Sequence, residues 1–307
     1  MMSKQVTDFG FSGILVSESN AGGGRQMDKQ VPTERIAKIV EEIKRRTGQQ
    51  AYALTIQSDR VPTLFDSKFG GLPYWDLQKP YPTDSRGEKL LLLAQINLEQ
   101  AQTDAPLPQT GMLQFFIAPD DVCGLDFEAP DQQDTFRVVY HEQIDRSVTA
   151  QAVCALGIPQ ETGEEGYTPV CKEAAVSVRR EMCYMSPASY LFDPLFRTIM
   201  QETFGEEIGE VSFYTILNGT ERQYLYDALE VTGHRMLGHP FFTQSDPREF
   251  MEPYQRYDTL LFQMDSEMVD GMDYVLWGDC GVGNFFIARA DLEKRDFSSV
   301  LYNWDCF

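Results

Sequence analysis

Apolar residues recur along this chain with two periods. In VPTERIAKIVEEIKRRTG the positions Ile36, Ile39, Val40 and Ile43 fall on one stripe of a 3.6-residue helix. Thr33 stands where an N-cap belongs, Gly48 can stop the helix, and Glu41/Arg45 with Glu42/Arg46 have i,i+4 spacing on the wet side. DPLFRTIMQETFG predicts a second helix with Asp193 as cap, Pro194 at its first position and Gly205 at its end. GTERQYLYDALEVTG predicts a third, with Thr220 and Gln223 at capping-box spacing and Leu225, Ala228 and Leu229 facing inward. KLLLLAQINL, MLQFFIA, TFRVVYHE, AAVSVRREMCYM, TLLFQMD, DYVLW and NFFIARADL read as strands. Helices and strands come in separate groups, which predicts an α+β fold with mainly antiparallel sheets and helices packed on them.

The strand-like runs also repeat. KFGGLP (Lys68–Pro73) matches MLGHP (Met236–Pro240), LLLLAQIN matches DTLLFQMD, and TGMLQFFIAPDD matches CGVGNFFIARAD. Pro73 to Gln95 is 22 positions and Pro240 to Gln263 is 23; Gln95 to Phe116 is 21 and Gln263 to Phe286 is 23. This predicts an internal duplication, with two pseudo-equivalent halves at about 50–130 and 210–307 sharing one core and a variable middle at about 131–209. The stretch before residue 31, with its SESNAGGG run, reads as a flexible arm, leaving 31–307 as a single domain.

The repeat decides how to read VLWGDCGVGNFFI. The first copy reaches its Phe-Phe-Ile strand through LPQTGMLQ with one glycine, Gly111, so the shared feature is a turn into a strand. No Lys-Ser/Thr follows Gly283 and no helix follows, which excludes a P-loop. The glycines then serve positive φ in a hairpin.

GGLPYW, LLLLAQINLEQ, LPQTGMLQFFI, HRMLGHP, TLLFQMDSE, LWGDCGVGNFFI and ADLEKRDFSSV together resemble the YwqG-like bacterial proteins, a family of unknown function. The resemblance runs from about Lys68 to the end and leaves Gln132–Ser186 unmatched. It implies an α+β fold with an internal duplication and no established catalytic residues. Some relatives look like members of toxin–immunity gene neighbourhoods, which implies a binding protein.

Charge narrows the partners. The 307 residues carry 26 Lys+Arg against 47 Asp+Glu, a formal charge of −21. Such a surface repels nucleic acid and anionic lipid and favours a basic protein. No run approaches the roughly 18–20 apolar residues of a membrane span. Six scattered cysteines without a C-x-x-C pair, and no signal-peptide pattern at the start, point to reduced thiols and a cytoplasmic address.

Candidate site residues fall in two groups. Gln95 and Gln263 each interrupt an apolar strand in both copies; a buried amide needs partners, so tying the strand to a neighbouring loop is the favoured role and ligand binding the alternative. The second group occurs in one copy only. Aligning the prolines sets His234 opposite Ser67 and His239 opposite Leu72, and aligning the glycines sets Trp277 opposite Leu107 and Asp279 opposite Gln109. These four form the candidate small-ligand or catalytic site, although HRMLGH lacks the i,i+4 spacing of a helical zinc site. HEQID starts like H-E-x-x-H but has no second histidine, and DSEMVDGMD fails the EF-hand spacing. Asp265, Glu267, Asp270 and Asp273 could hold a cation only loosely; solvated turn acids fit better. Trp75, in YWDLQKPYP, is either a recognition aromatic or a core plug. No metal, cofactor or catalytic residue is expected. The leading expectation is a non-catalytic binding protein, in its narrower form an immunity-type protein that occludes a basic partner; the alternative is an enzyme or small-ligand protein built on the one-copy residues.

Overall fold

A computed structural model describes residues 33–159 and 168–307. The arm expected at 1–30 lies outside the described residues. Residues Pro32–Phe307 form one compact unit.

Twelve strands are present among the described residues: β1 (Gln49–Gln57), β2 (Lys68–Phe69), β3 (Leu91–Asn97), β4 (Met112–Ile117), β5 (Phe136–His141), β6 (Ala174–Cys183), β7 (His234–Leu237), β8 (Thr259–Asp265), β9 (Glu267–Val269), β10 (Met272–Val275), β11 (Val282–Ile287) and β12 (Val300–Asp305). Ten of them form one antiparallel sheet in the order β12-β11-β8-β7-β1-β6-β2-β3-β4-β5. The fold is thus α+β, with a large antiparallel sheet nearly closed into a barrel. At the seam between the edge strands Phe136 of β5 lies 5.2 Å from Tyr302 of β12.

The sheet curls because β3, β4, β8 and β11 bury side chains on both faces. Inward-pointing Phe69, Phe115, Phe136, Phe262, Phe285 and Tyr302 fill the lumen; Phe115 stacks on Phe262 at 4.5 Å and Phe285 on Tyr302 at 4.6 Å. The barrel interior is a packed core, as small barrels require. On the outer face Trp75, Leu92 and Phe116 make one cluster and Phe242, Leu260 and Phe286 another. The segment between β3 and β4, which includes α2 (Leu98–Ala101), sends Ala101 and Leu107 into the main core; the β9–β10 hairpin between β8 and β11 sends in Tyr274 and Val275. A short helix, α3 (Ala150–Cys154), follows β5.

A helical layer packs separately. The stripe of α1 (Glu34–Thr47) meets Phe192, Phe196, Ile199 and Met200 of α4 (Phe192–Phe204), Phe213 of α5 (Phe213–Ile216) and Leu225 of α6 (Gly219–Ala228). Thr33 does cap α1. Two expected caps differ. Asp193 lies inside α4 and accepts from the Phe213 N–H, so it tethers α5. α6 begins at Asn218, which forms a capping box with Glu221, because Asn218 can reach the Glu221 N–H while extended. The ion pairs also shift: Glu42 takes both Arg45 and Arg46, while Glu41 pairs with Lys38. NFFIARADL breaks after Ile287 into α7 (Arg289–Glu293).

The glycine-rich stretch uses each glycine differently. Of its three glycines only Gly278 has a positive φ, +50°, and Cys280 beside them takes +60°. A Cβ on Gly281 would strike the Asp305 carbonyl, and one on Gly283 would strike the Trp277 ring. Close approach, more than turn geometry, requires these two glycines.

Candidate functional site

The two glutamines anchor two polar nodes inside the sheet. Gln95 lies opposite Lys68 on β2 and Gln263 opposite Arg235 on β7. Gln95 donates to the Leu64 and Asp66 carbonyls (2.9 and 2.8 Å) and accepts from the Tyr74 N–H (2.9 Å). Gln263 donates to the Val231 and Gly233 carbonyls (2.9 and 2.7 Å) and accepts from the Phe241 N–H (2.7 Å). Next to them, Gln114 on β4 donates to the Tyr74 carbonyl and Asn284 on β11 to the Phe241 carbonyl. All four amides are fully buried and tied to loop backbone.

At the outer end of each node the chemistry diverges. On β12, Asp305 accepts from the Thr243 N–H and hydroxyl and from the Gln244 N–H. Burial raises its pKa, although these donors oppose the shift. On β5, His141 donates from Nε2 to Gln114 Oε1 at 3.0 Å, and its Nδ1 is buried without a partner. Tyr74 and Trp75 meet its ring edge-on, with ring centroids 5.2 and 5.0 Å away. Burial, then the Lys79 charge, pulls the His141 pKa down to about 4. Trp75 is a plug: it is buried, and its indole N–H donates to the Lys79 carbonyl.

The four one-copy residues take separate partners. His234 accepts the Asp265 N–H on Nδ1, which puts its proton on Nε2, 2.6 Å from Glu267 Oε2. His239 bonds the Thr47 carbonyl at the end of α1, and burial lowers its pKa. Trp277 is fully buried over Gly283, 5.8 Å from Trp304. The Asp279 side chain is exposed, and its carbonyl accepts from the Phe307 N–H. No hydrogen bond or ring contact joins any two of these four among the described residues. The acids of DSEMVDGMD are likewise engaged or turned outward: Asp265 binds the Gly233 N–H, Glu267 binds His234, and Asp270-Gly271 turns the hairpin with φ +53° and +76°. Among the described residues no group of three His, Cys, Asp or Glu could hold a metal.

Two surface features were not read from the sequence. The first is the connection from β4 to β5, which covers the barrel seam. Its carbonyls at Val122, Cys123 and Pro130 accept from Trp304 Nε1, Tyr302 OH and the Tyr302 N–H (2.7, 2.8 and 2.9 Å). It carries Asp120, Asp121, Asp126, Glu128, Asp131 and Asp134 around Phe127, which is 72% exposed, and no Lys or Arg occurs between Lys89 and Arg137. Several of these acids also hold the segment in shape: Asp120 accepts the Val122 and Gly124 N–H groups, and Asp126 those of Glu128 and Ala129. The missing lysines and arginines were the sequence signal. The second feature is a cleft of about 250 Å³ at one mouth of the barrel, lined by Gln49, Gln50, Asp104, Leu237, Asp258 and Thr259 among others.

The sequence profile of a family described as a domain of unknown function (DUF1963) matches residues 67–306. The chain belongs to this DUF1963 family. The matched span runs from just before β2 to just past β12 and so contains all four buried amides, His141 and the seam-covering loop, while the Leu64 and Asp66 carbonyls that Gln95 binds lie just before it. No curated protein matches the chain. Membership of DUF1963 assigns no activity, and no helix among the described residues is long and apolar enough to cross a membrane.

Proposed function

We propose that this chain is a non-catalytic binding protein that meets a basic protein partner through its acidic face. The observation that carries the reading is the β4–β5 connection across the barrel seam, where acids with no neighbouring cation in the sequence flank the exposed Phe127 along the chain and Arg256 reaches one of them, Asp131. Like charge on such a surface speeds encounter with a cationic partner and weakens with salt. In the immunity-type version of this reading, the loop and the acids around it cover the basic site of a toxin. A cytoplasmic address agrees with the free thiols at Cys154, Cys171, Cys183, Cys280 and Cys306. The motifs shared with YwqG-like proteins fall largely inside the matched span, which supports that narrower grouping.

We also propose that the scaffold arose by internal duplication, with halves at about 50–130 and 210–307 as expected from the sequence, the elements that correspond best lying at about 64–141 and 231–305. Supporting it, β2-β3-β4-β5 and β7-β8-β11-β12 flank the central β1–β6 pair in mirrored order. Counted from Lys68 and from Arg235, the bonded carbonyls lie four and two residues before and the bonded N–H six after. A ladder irregularity falls at Leu93 in one flank and at Leu261 in the other, each two residues before its glutamine. On this reading Gln95 and Gln263 serve the scaffold. The competing small-ligand site at His234, His239, Trp277 and Asp279 would need side chains that share no hydrogen bond or ring contact to regroup, although the Trp277 indole N–H is buried without a partner.

The test is retention of neighbouring-gene products by the immobilised full chain at about 0.05 M and about 0.5 M salt. A basic product should be held at low salt and released at high salt. The triple variant Asp121→Asn, Asp126→Asn, Glu128→Gln should lose it with an unchanged far-UV spectrum. Salt-insensitive retention, or retention of no basic product, overturns the reading.

A further inference from the structure

The sheet lacks one strand's worth of chain at a defined place. β7 spans four residues, bridges β1 to β8, and pairs with β8 at Arg235–Gln263. It then leaves: Leu237 and Gly238 take φ of +58° and +77°, and His239 turns to the carbonyl of Thr47. Below that exit β1 continues through Gln50 and Gln49 with β6 on one side only, and β8 continues through Leu260 and Thr259 with β11 on one side only. Two strand edges therefore face each other across the width of a missing strand, about 9–10 Å at the usual ladder spacing. The cleft of about 250 Å³ lies there, with Gln50 and Thr259 on its walls and Leu237 and Gly238 at its closed end.

The opposite mouth shows what such a gap accepts. Beyond Phe69 of β2 the chain also turns at Gly70 and Gly71, with φ of +62° and +70°. There the extension preceding β6 is not left open. Cys171 and Lys172 donate to the Tyr274 carbonyl, Leu276 donates to the Pro169 carbonyl, and Val170 bridges Val275. The molecule's own extended segment at β10 thus lies beside the β6 extension. At the mouth below β7 the corresponding connection lines the cleft with Asp104, Ala105 and Pro106; its Asp104 N–H donates to the Tyr52 hydroxyl, and its Gln102 carbonyl and Asp104 carboxylate take Arg180 of β6.

We infer that the slot between β1 and β8 receives an extended, lysine- or arginine-bearing segment of a protein partner, added in line with β7. This rests on the basic-partner reading above and adds, apart from the β4–β5 connection, a second place and a binding mode for such a partner. The strand edges supply main-chain hydrogen bonds, as in β-strand addition. The rim supplies the charge preference. Asp258 uses only Oδ1, for the Thr259 hydroxyl and the Arg289 N–H, and Asp104 shares Oδ2 with Arg180 at 2.7 Å. Arg289 also lines the cleft, with its guanidinium paired to Glu293 at 2.8 Å.

The experiment selects random heptapeptides on phage against the full chain and remeasures the enriched peptides as synthetic probes. Variants Thr259→Trp and Gln50→Trp fill the slot from opposite walls, and matching unfolding midpoints show that each still folds. The expected result is enrichment of Lys/Arg peptides whose affinity drops at least about tenfold with either tryptophan and with alternate backbone N-methylation, which removes ladder donors. Asp258→Asn should weaken the basic peptides and leave neutral ones unchanged. Basic peptides that bind the filled variants equally well overturn the slot and leave the acidic-face reading standing. Enrichment of peptides without Lys or Arg, or no enrichment, overturns the slot's basic occupant and leaves the acidic-face reading to its own retention test.

Discussion

Gln95 and Gln263 sit 168 residues apart in sequence, yet each clamps the backbone at the same three offsets from the cation across the ladder. Leucine at either position would fit the apolar strand but strand two carbonyls and one N–H in the core. At about 1–3 kcal/mol per orphaned buried group, with partial relaxation, each Gln→Leu change should cost about 3 kcal/mol. Urea unfolding of Gln95→Leu and Gln263→Leu checks this. A neutral result at either site would remove the scaffold role, and costs that differ by more than about 2 kcal/mol would weaken their equivalence.

Gly283 and Gly87 give a second contrast. A Cβ at Gly283 runs into the buried Trp277 ring, whereas one at Gly87 meets nothing within 4 Å. Gly283→Ala should therefore destabilise by about 2–3 kcal/mol through overpacking and shift the tryptophan emission. Gly87→Ala should cost about 1 kcal/mol, because its φ of +84° disfavours any side chain. Equal costs would show that the Trp277 contact does not constrain the strand.

These contrasts also show what the sequence revealed. β3, β4, β8 and β11 stood out because strands buried on both faces read as unbroken apolar runs. The central strand β1, QQAYALTIQ, did not, since its Ala51 and Ala53 give little hydrophobic signal and its burial comes from neighbours distant in sequence, such as Gly238 and Val176, only after folding. β2 and β7 are too short to carry a period. His141 was visible only as the start of a failed zinc motif, because its true partner, Gln114, is set by the β4–β5 register. The slot was hidden for the same reason: it depends on where β7 stops pairing.

The cap of α6 separates two readings of GTERQYLY. Asn218 and Glu221 exchange both bonds of a capping box, while Thr220 lies within the first turn. Asn218→Ala should cost about 1 kcal/mol and Thr220→Ala less than about 0.5 kcal/mol. Thermal unfolding resolves the two, and the reverse order would place the helix start two residues later.

His141 makes stability fall on mild acidification. Its folded pKa, about 4, lies below the ordinary 6.5, so the unfolded chain binds the proton more readily between those values. Stability held above pH 6.5 is therefore lost as pH falls toward 4. Linkage puts the loss from this one group at about 2 kcal/mol between pH 7.5 and pH 5. His239, also lowered by burial, acts in the same direction, while the raised carboxyls of Asp265 and Asp305 act in the opposite one. Asp76 and Lys79 face His141 and pull its pKa in opposite senses. The comparison that isolates the group is His141→Gln against the parent chain, each unfolded in urea at both pH values. Glutamine keeps a donor for Gln114 and does not titrate, so its variant should lose about 2 kcal/mol less on going to pH 5. Parallel losses in the two proteins would mean that His141 protonates in the folded state as readily as in the unfolded one, which a ring sealed under Trp75 does not allow.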